Sequence, residues 1–549
     1  MSVTLGLPQD DTPQERFTRS RQLAAQRSHY DWDRPPGLPP LCKGVPLPER
    51  FDRASGDEML SDVVSSVVNG GLSLFGWLRG KPTELRHFDT LYALRRPPRV
   101  ISSWRTDREF ARQRMNGVNP TLITCLAGLP ENFPVTDGHL RGVVPEGISL
   151  DGLLGQQRLF LCDWKDLAGA PTVFARFLAA PMALFWLDDT GTLMPLAIQL
   201  GQSPAEAPVI FTPADDTWLW LTARAHVACA DGNYHETITH LARTHLVMEG
   251  VWVAASRTLS PTHPLHELLQ PHFTGTININ EDALVDLLAP GGPIDATMAV
   301  GVDGGLWLVE QEYRRWRLDD WNPRTDLARR GLLDPAVLPG YHYRDDMLLL
   351  FDAIGEYVQQ LVGTFYRHDD DVRDDPELQE WARELVDADG ARMVGTPVSA
   401  EGRFTSVDAV VRFVQQVIHT VSVEHAAVNN GQWDQFGYIP NTPGALFMPP
   451  PTSKHITNEA RLTYAMPNFG AAVDQMAMVH MLSAPTLTPL GSYPDQFFTA
   501  SRPAQLCVDR FRSRIDEISF AIEHRNSTLA PEERYTYLMP SDVGRSITI

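Results

Sequence analysis

The sequence predicts a mainly α-helical fold with a few short β-strands. Residues 347–366 and 407–429 carry apolar side chains at helical intervals, which indicates two long amphipathic helices. Pro449-Pro450-Pro451 forces a non-helical break after the second of these helices. Two short apolar runs, around Leu159–Leu161 and Leu184–Leu187, are predicted to form strands. No internal repeat or low-complexity tract competes with this prediction.

Composition and charge restrict the kind of protein this chain forms. A chain of 549 residues with 43% hydrophobic side chains buries a large core, and its length alone would allow about three or four domains. The formal net charge of −21 argues against nucleic acid as a partner and against electrostatic attachment to anionic membranes. The N-terminus has no signal-like apolar core, no stretch has the roughly 18 to 20 apolar residues that span a bilayer, and the five cysteines are unclustered. We therefore expect a cytoplasmic protein with at most peripheral membrane contact.

Histidines point to a metal site. Five of them, separated by four, four, seventeen and eight residues, occupy one stretch of chain: His235, His240, His245, His263 and His272. Histidine is 17 of 549 residues, so the odds of this pattern by chance are roughly one in 10⁵. Far downstream, His425 and Asn429 lie four residues apart, which puts both side chains on one face of an α-helix. Together the two segments predict a metal site.

The spacing of His240 and His245 also predicts local helix geometry. Five residues offset two side chains by about 140° on an α-helix, which prevents both from reaching one metal. A π-helical widening, with roughly 4.4 residues per turn, reduces that offset to about 50°. The spacing therefore predicts a strained helix with two imidazoles facing inward, whereas His425 and Asn429 need no distortion.

A zinc peptidase is the obvious alternative, because His235-Glu236 resembles the start of an H-E-x-x-H motif. That motif needs its second histidine four residues after the first, where Thr239 stands. Three imidazoles with an amide oxygen suit a first-row metal such as iron, whereas structural zinc favours a closed Cys/His set. None of the cysteines forms a CxxC pair: Cys42, Cys125, Cys162, Cys229 and Cys507.

These segments resemble the lipoxygenases, a family of non-haem iron fatty acid dioxygenases. The resemblance rests on the five-histidine segment, on His425-Ala-Ala-Val-Asn429 with the following Gly431-Gln432, and on the C-terminal Ile549. Weaker matches extend it over roughly residues 100–549: Trp104–Phe110, Asn116–Pro120, Pro195–Leu200, Leu338–Asp346, Glu377–Trp381, Arg525–Asn526 and Tyr535–Leu538.

The resemblance implies a large helical catalytic domain over residues 100–549, with the metal site between long central helices. Residues 1–99 are expected to pack on this domain as an N-terminal extension. Because that segment is short and proline-rich, we expect no N-terminal β-barrel domain. Within it, Leu72–Leu78 is a candidate for contact with lipid or for covering a pocket, with packing in the core as the alternative.

The resemblance also implies a ligand set. One non-haem iron would be bound by three imidazoles, an amide and the terminal carboxylate: His240, His245, His425, Asn429 and Ile549. Manganese is the alternative metal. Polar side chains next to these ligands are expected to orient them and to tune the metal: Glu236, Gln432 and His235. His263 and His272 are expected to hold the surrounding helices through hydrogen bonds.

Two residues depart from the family pattern. Asn430 stands where an aromatic residue usually follows the ligand asparagine, so the way Asn429 is held is expected to differ. Arg545 stands where the terminal segment usually has asparagine, so a looser tail before Ile549 is expected. The acidic run Asp369-Asp370-Asp371 is interpreted as a solvated surface rather than a second metal site.

The implied reaction is dioxygenation of a polyunsaturated fatty acid with a cis,cis-1,4-pentadiene. A ferric hydroxide would take a hydrogen atom from the methylene between the double bonds, and molecular oxygen would add to the resulting radical, so no nucleophilic side chain is needed. Two alternatives stay open: a fatty acid hydroperoxide isomerase on the same scaffold, and a metal-free lipid-binding protein. The sequence predicts no particular oligomeric state.

The stereochemistry of the product is expected to depend on Ala283. In the family this position is alanine in most enzymes that give S hydroperoxides and glycine in most that give R. We therefore expect an S product, with Leu287 on the same helical face as a second wall of the substrate and oxygen pocket.

Overall fold

The predicted mainly helical architecture is confirmed. The protein is represented by a computed structural model that describes residues 5–51, 79–92, 96–455, 457–484 and 488–549. The segment Leu72–Leu78 lies outside the described residues. The α-helices are Pro13–His29, Asp107–Asn116, Leu150–Gly155, Thr217–Tyr234, Val247–Thr258, Pro264–Leu269, Thr276–Asp282, Pro293–Thr297, Gly301–Arg315, Pro323–Arg329, His342–Phe365, Asp369–Asp374, Pro376–Val386, Val407–His419, His425–Asn429, Gln432–Phe436, Glu459–Ala465, Phe469–Leu482 and Arg502–Ser527.

Shorter helical turns join these elements. Stretches of 3₁₀-helix occur at Pro8–Asp10, Glu49–Phe51, Leu85–Tyr92, Arg99–Ser102, Asp137–Leu140, Lys165–Leu167, Gln270–His272 and Leu318–Trp321. In the described part of the chain, three stretches are π-helical: His235–Leu246, Ala283–Leu287 and Thr420–Glu424.

Strands contribute a minor part of the fold. Five of them form an antiparallel sheet in sequence order: Thr124–Cys125, Leu159–Asp163, Met182–Leu187, Leu193–Gln199 and Ile210–Phe211. Leu159 pairs with Trp186 and Leu184 with Ala197, and the register shifts between Leu184 and Phe185. Both strands predicted from sequence are therefore present. A short second pair joins Trp32 to Cys42 and Asp33 to Leu41.

The two long amphipathic helices predicted from sequence lie side by side in the core. Helix His342–Phe365 packs against helix Val407–His419 and against the C-terminal helix Arg502–Ser527. Its buried positions recur at helical spacing, from Met347 and Leu350 to Leu361. Residues 449–451 are non-helical, as the three prolines require.

A continuous helical rod carries the central histidines. Helix Thr217–Tyr234 begins at Asp216, whose carboxylate accepts from the backbone N–H groups of Trp218 and Leu219. It passes without a break into π-helix His235–Leu246 and then into helix Val247–Thr258. Nearly all of the rod is buried, so its histidines lie deep in the molecule.

The π-helix at His235–Leu246 confirms the widening that the five-residue spacing predicts. The sequence did not predict the other two. One of them, Thr420–Glu424, ends directly before His425, so the second long predicted helix is α-helical only up to His419. Within the described residues, no helix combines the length and apolar character that crossing a bilayer requires.

Candidate metal centre

Three imidazoles meet at the centre of the molecule. The Nε2 atom of His240 lies 3.2 Å from Nε2 of His245 and 3.4 Å from Nε2 of His425. One nitrogen from each of the three lies within 4.8 Å of the others, and all three residues are buried. Across the described parts of the chain, they are the residues whose His, Cys, Asp or Glu donors converge closely enough to hold a metal ion.

Helix geometry explains how they converge. His240 and His245 lie in π-helix His235–Leu246, whose wider turn brings residues five apart to one face. His425 is the first residue of helix His425–Asn429, which follows its own π-helical segment and packs against the central rod. The widened turns therefore place all three rings around one point.

Partners on the far side of the rings assign the tautomer of His245 and favour one tautomer of His240. The Nδ1 atom of His245 lies 2.9 Å from Oδ1 of Asn280, so it carries the hydrogen and donates it. Nδ1 of His240 faces a carboxylate oxygen of Glu236 at 3.8 Å, which also favours the hydrogen on Nδ1. In both rings the lone pair is then on Nε2, facing the other imidazoles.

The three rings are neutral at neutral pH. Burial lowers the pKa of His240, and burial together with the nearby His240 lowers the pKa of His245 to about 3. The pKa of His425 lies well below its usual value, again from burial and from the neighbouring imidazoles. Neutral imidazole is the form that binds metals, so the site offers lone pairs rather than positive charge.

This arrangement fits a metal cation. With the ring hydrogens of His240 and His245 on Nδ1, two lone pairs face each other at 3.2 Å and repel unless a cation lies between them. Metal–nitrogen bonds of about 2.1 Å at right angles place neighbouring donors about 3 Å apart, close to the spacing of these rings. Three imidazoles with amide and carboxylate oxygens suit a first-row transition metal.

The C-terminal carboxylate reaches the same point. The main-chain oxygen of Ile549 lies 3.2 Å from Nε2 of His425. The preceding tail is fastened at Arg545, whose carbonyl accepts from Nδ1 of His272 at 2.8 Å. The Arg545 guanidinium donates to the carbonyls of Pro271, at 3.1 Å, and of Ser492. Arg545 therefore anchors the tail, in contrast to the loosening expected from sequence.

Asn429 is held by Gln432, the first residue of the next helix. It is buried one turn after His425, and its Oδ1 accepts a 2.7 Å hydrogen bond from Nε2 of Gln432. The next residue, Asn430, donates from its side chain to the carbonyls of Tyr537 and Asp542. An aromatic side chain at this position could not make these two bonds.

The remaining residues predicted near the ligands make buried contacts. His235 donates from Nε2 to the carbonyl of Val428 at 2.7 Å and stacks on His240 with ring centres 5.3 Å apart. Burial raises the pKa of Glu236, but the nearby imidazoles of His235 and His240 bring it down to about 2. Glu236 is therefore a buried carboxylate beside two histidines.

The outer histidines tie helices together. Nε2 of His263 donates to Asp375 at 3.0 Å, while its Nδ1 accepts from the backbone of Leu265 and caps helix Pro264–Leu269. His272 holds the tail at Arg545, as described above. The acidic run at 369–371 begins helix Asp369–Asp374, where Asp371 accepts from the backbone N–H of His368.

Ala283 and Leu287 lie at the two ends of π-helix Ala283–Leu287. Ala283 is buried, and it follows Asn280 by three residues, which places it near the helix face that contacts His245. Leu287 is half-buried, and its neighbour Leu288 is the more deeply buried of the two. The backbone N–H of Leu288 donates to the carbonyl of Ala283, five residues earlier, as a π-helical turn requires.

Sequence reasoning missed Asn280 and Glu249. Asn280 contacts His245 directly, and its side-chain nitrogen donates to Glu249 at 2.7 Å. These contacts join residues 35 and 31 positions apart in the chain, so no local spacing reveals them.

The chain is similar to known proteins in both sequence and structure. The lipoxygenase family model matches residues 85–540. The human polyunsaturated fatty acid lipoxygenase ALOX15B is 34% identical over 560 residues, covering 98% of this chain and 81% of the relative. The human hydroperoxide isomerase ALOXE3 is 34% identical over 458 residues, covering 82% of this chain and 63% of that protein. A solved coral 8R-lipoxygenase superposes with a TM-score of 0.91 at 29% identity, over 100% of this chain and 83% of the coral chain.

Proposed function

Because the chain belongs to the lipoxygenase family, whose members are dioxygenases, we propose that it converts polyunsaturated fatty acids with a cis,cis-1,4-pentadiene into S-configured hydroperoxides. The proposed metal is one iron, held by the side chains of His240, His245, His425 and Asn429 and by the terminal carboxylate of Ile549. The observation that carries the proposal is the meeting of three neutral imidazoles and the C-terminus at one buried point.

Iron, when bound, supplies the one-electron chemistry that removes a hydrogen atom from the methylene between the two double bonds. Molecular oxygen then adds to the carbon radical, and return of the hydrogen gives the hydroperoxide. The net reaction joins one fatty acid and one oxygen molecule without loss of atoms. No side chain has to act as a nucleophile.

The protein's own residues set the environment of this reaction. Burial of all three imidazoles keeps water away from them and keeps them neutral. Gln432 fixes the amide of Asn429, and Glu236 places a carboxylate beside His240. Such neighbours hold ligands in one geometry and tune the metal.

Ala283 supports the proposed S configuration. It is buried near the helix face that Asn280 presents to His245, where its methyl group would shield one end of the pentadienyl radical from oxygen. The chain is also similar to a coral 8R-lipoxygenase, so the R product is the alternative that an experiment has to distinguish from the S product.

A second candidate is a hydroperoxide isomerase, which the similarity to human ALOXE3 favours. Both activities would use the same ligand set, so the substrate decides between them. A metal-free lipid-binding role is disfavoured, because it would leave the lone pairs of His240 and His245 opposed at 3.2 Å.

Parallel assays with linoleate and with its hydroperoxide distinguish the two enzymes. A dioxygenase consumes oxygen and forms a conjugated diene from linoleate. An isomerase consumes the hydroperoxide without oxygen uptake. We expect oxygen uptake with linoleate and with arachidonate; turnover of the hydroperoxide alone would favour the isomerase.

A further inference from the structure

A buried chain of hydrogen bonds runs from the N-terminal segment to the metal centre. The backbone N–H of Cys42 donates to Oε1 of Glu249 at 2.7 Å. The other carboxylate oxygen, Oε2, accepts from Nδ2 of Asn280 at 2.7 Å. Oδ1 of Asn280 then accepts from Nδ1 of His245 at 2.9 Å. All four residues are buried, so water does not compete for these bonds.

The direction of each bond follows from the carboxylate. A carboxylate can only accept, so Asn280 must turn its NH₂ group towards Glu249. Its oxygen then faces His245, which must carry the ring hydrogen on Nδ1. That leaves the lone pair of His245 on Nε2, on the side of the other two imidazoles. The carboxylate of Glu249, which can only accept hydrogen bonds, therefore fixes which ring nitrogen of His245 is available to the metal.

The N-terminal segment contacts the same region at further points. The backbone N–H of Val45 donates to Glu281 at 3.1 Å, and Asn278 donates to the carbonyl of Glu49 at 3.0 Å. Glu49 also accepts from the indole of Trp252 at 2.7 Å. Residues 41–51 are thus bonded to both helices that carry Glu249 and Asn280.

We propose that Glu249 and Asn280 are positioning residues that set the tautomer of His245, and that residues 41–51 form part of the metal centre through the Cys42–Glu249 bond. This inference rests on the proposed function, because it takes His245 to be an iron ligand. It assigns to the N-terminal segment an indirect role in holding the metal, through Glu249, Asn280 and His245.

The first test is Glu249→Gln. Cys42 and Asn280 bond to different oxygens of Glu249, and the substitution turns one of these oxygens into an NH₂ group, so the side chain can no longer accept at both places. If its oxygen stays with Cys42, its NH₂ group forces Asn280 to turn over and present NH₂ to His245. His245 would then carry its hydrogen on Nε2 and lose the lone pair that the metal needs. Removing such an outer partner weakens metal affinity by about 10- to 100-fold.

A compensating variant tests the polarity argument. In Glu249→Gln with Asn280→Asp, the carboxylate and the amide exchange places. The amide at 249 accepts from Cys42 and donates to the carboxylate at 280, which again accepts from Nδ1 of His245. A purely structural role for Glu249 gives no reason for the second change to restore iron binding.

Glu281→Gln is the matched control. Glu281 accepts from the backbone of Val45 in the same N-terminal segment, but no bond joins it to His245 among the described contacts.

Burial raises the pKa of Glu249 to about 7 against the effect of its two hydrogen bonds, so the proteins are compared near pH 8. The full-length proteins are loaded with iron, challenged with a chelator, and followed by iron release and by the EPR spectrum of the ferric form. Thermal unfolding of the metal-free proteins measures any general loss of stability.

Wild type, Glu281→Gln and the double variant are expected to release iron at similar rates. Glu249→Gln is expected to release iron at least tenfold faster than these three proteins. An altered ferric EPR spectrum in Glu249→Gln, restored in the double variant, is also expected. Equal release from Glu249→Gln and Glu281→Gln would overturn the inference while leaving the iron site intact. A double variant no better than Glu249→Gln would also overturn it. Failure of the wild type to bind iron would overturn the proposed function itself.

Discussion

The side-chain amide of Asn430 donates a 2.9 Å hydrogen bond to the carbonyl oxygen of Tyr537. The same amide donates to the carbonyl of Asp542, also at 2.9 Å. These bonds join the residue after Asn429 to the segment that leads to Ile549. Two proposed ligands, distant in sequence, are therefore connected through one side chain.

Asn430→Ala should weaken the attachment of the segment around Asn429 to the segment that leads to Ile549. Loss of two hydrogen bonds costs about 1–3 kcal/mol, and part of this should appear as weaker iron binding. The amount of iron retained after dialysis against a chelator measures this weakening. Ser541→Ala is a control in the same segment, because among the described contacts the Ser541 side chain bonds to its neighbour Asp542 and to no residue near the proposed ligands. Equal retention in the two variants would show that Asn430 does not support the site.

Replacing a proposed histidine ligand should remove the metal. His240→Ala and His425→Ala each take away one of three converging imidazoles, leaving too few donors to hold the ion. Both variants are expected to lose iron and oxygenase activity together, as measured by elemental analysis and oxygen uptake. A full equivalent of iron retained in both would refute the ligand assignment.

The chain terminus should tolerate neither extension nor loss. Deleting Ile549 removes its carboxylate, and added residues convert that carboxylate into an amide carbonyl and displace it from His425. Turnover is expected to be abolished in both cases, whereas an N-terminal tag serves as the control. Undiminished activity in a C-terminally tagged protein would count against a role for the terminal carboxylate.

The contacts of the Asp375 carboxylate predict that its contribution to the free energy of unfolding depends on pH. Its carboxylate accepts from His263 at 3.0 Å, from the Tyr366 hydroxyl at 2.7 Å and from two backbone N–H groups at the start of helix Pro376–Val386. Burial raises the pKa of Asp375, but His263 and these bonds outweigh it, so the pKa lies below its usual value. A lowered carboxyl pKa stabilises the fold above about pH 4, and this stabilisation is lost as pH falls through the folded-state pKa.

Asp375→Asn should therefore lower the free energy of unfolding by about 2–4 kcal/mol at pH 7 and by a smaller amount at pH 3. Urea unfolding at the two pH values measures the difference. Asp408→Asn, in an exposed ion pair with Arg412, is the control and should change little at either pH. An equal loss at both pH values would contradict the assigned charge state of Asp375.

Ala283→Gly should change the stereochemistry of the product. Removing one buried methyl group would open space for oxygen at the other end of the pentadienyl radical, which favours the R product. A barrier difference near 1.4 kcal/mol changes the product ratio about tenfold. Chiral chromatography of the hydroperoxides measures it, with Ala289→Gly, outside the π-helix, as the control. The same position and handedness of oxygenation from wild type and Ala283→Gly would exclude this role for Ala283.

Some features of the site were predictable because they leave a local pattern. The five-residue spacing of His240 and His245 demands a π-helix, and the structure has one at His235–Leu246. The α-helical spacing of His425 and Asn429 says nothing about the turn before it, so the π-helix at Thr420–Glu424 left no signal.

Other features depend on contacts between distant segments. The contact of Asn280 with His245 needs the folded arrangement of two helices, and so does the Cys42 N–H that holds Glu249. Arg545 stands where the family pattern has asparagine, and a looser tail is the expectation from sequence. Its long side chain instead reaches the carbonyls of Pro271 and Ser492, which only the structure reveals.

Stepwise return of iron to the metal-free protein tests the central claim most directly. Oxygen uptake and conjugated-diene formation with linoleate are recorded after each addition. The three converging imidazoles predict that both rates rise together and level off at one iron per chain, with one oxygen molecule consumed per diene formed. Diene formation at full rate without iron, or no dioxygenation at one iron per chain, would contradict the account.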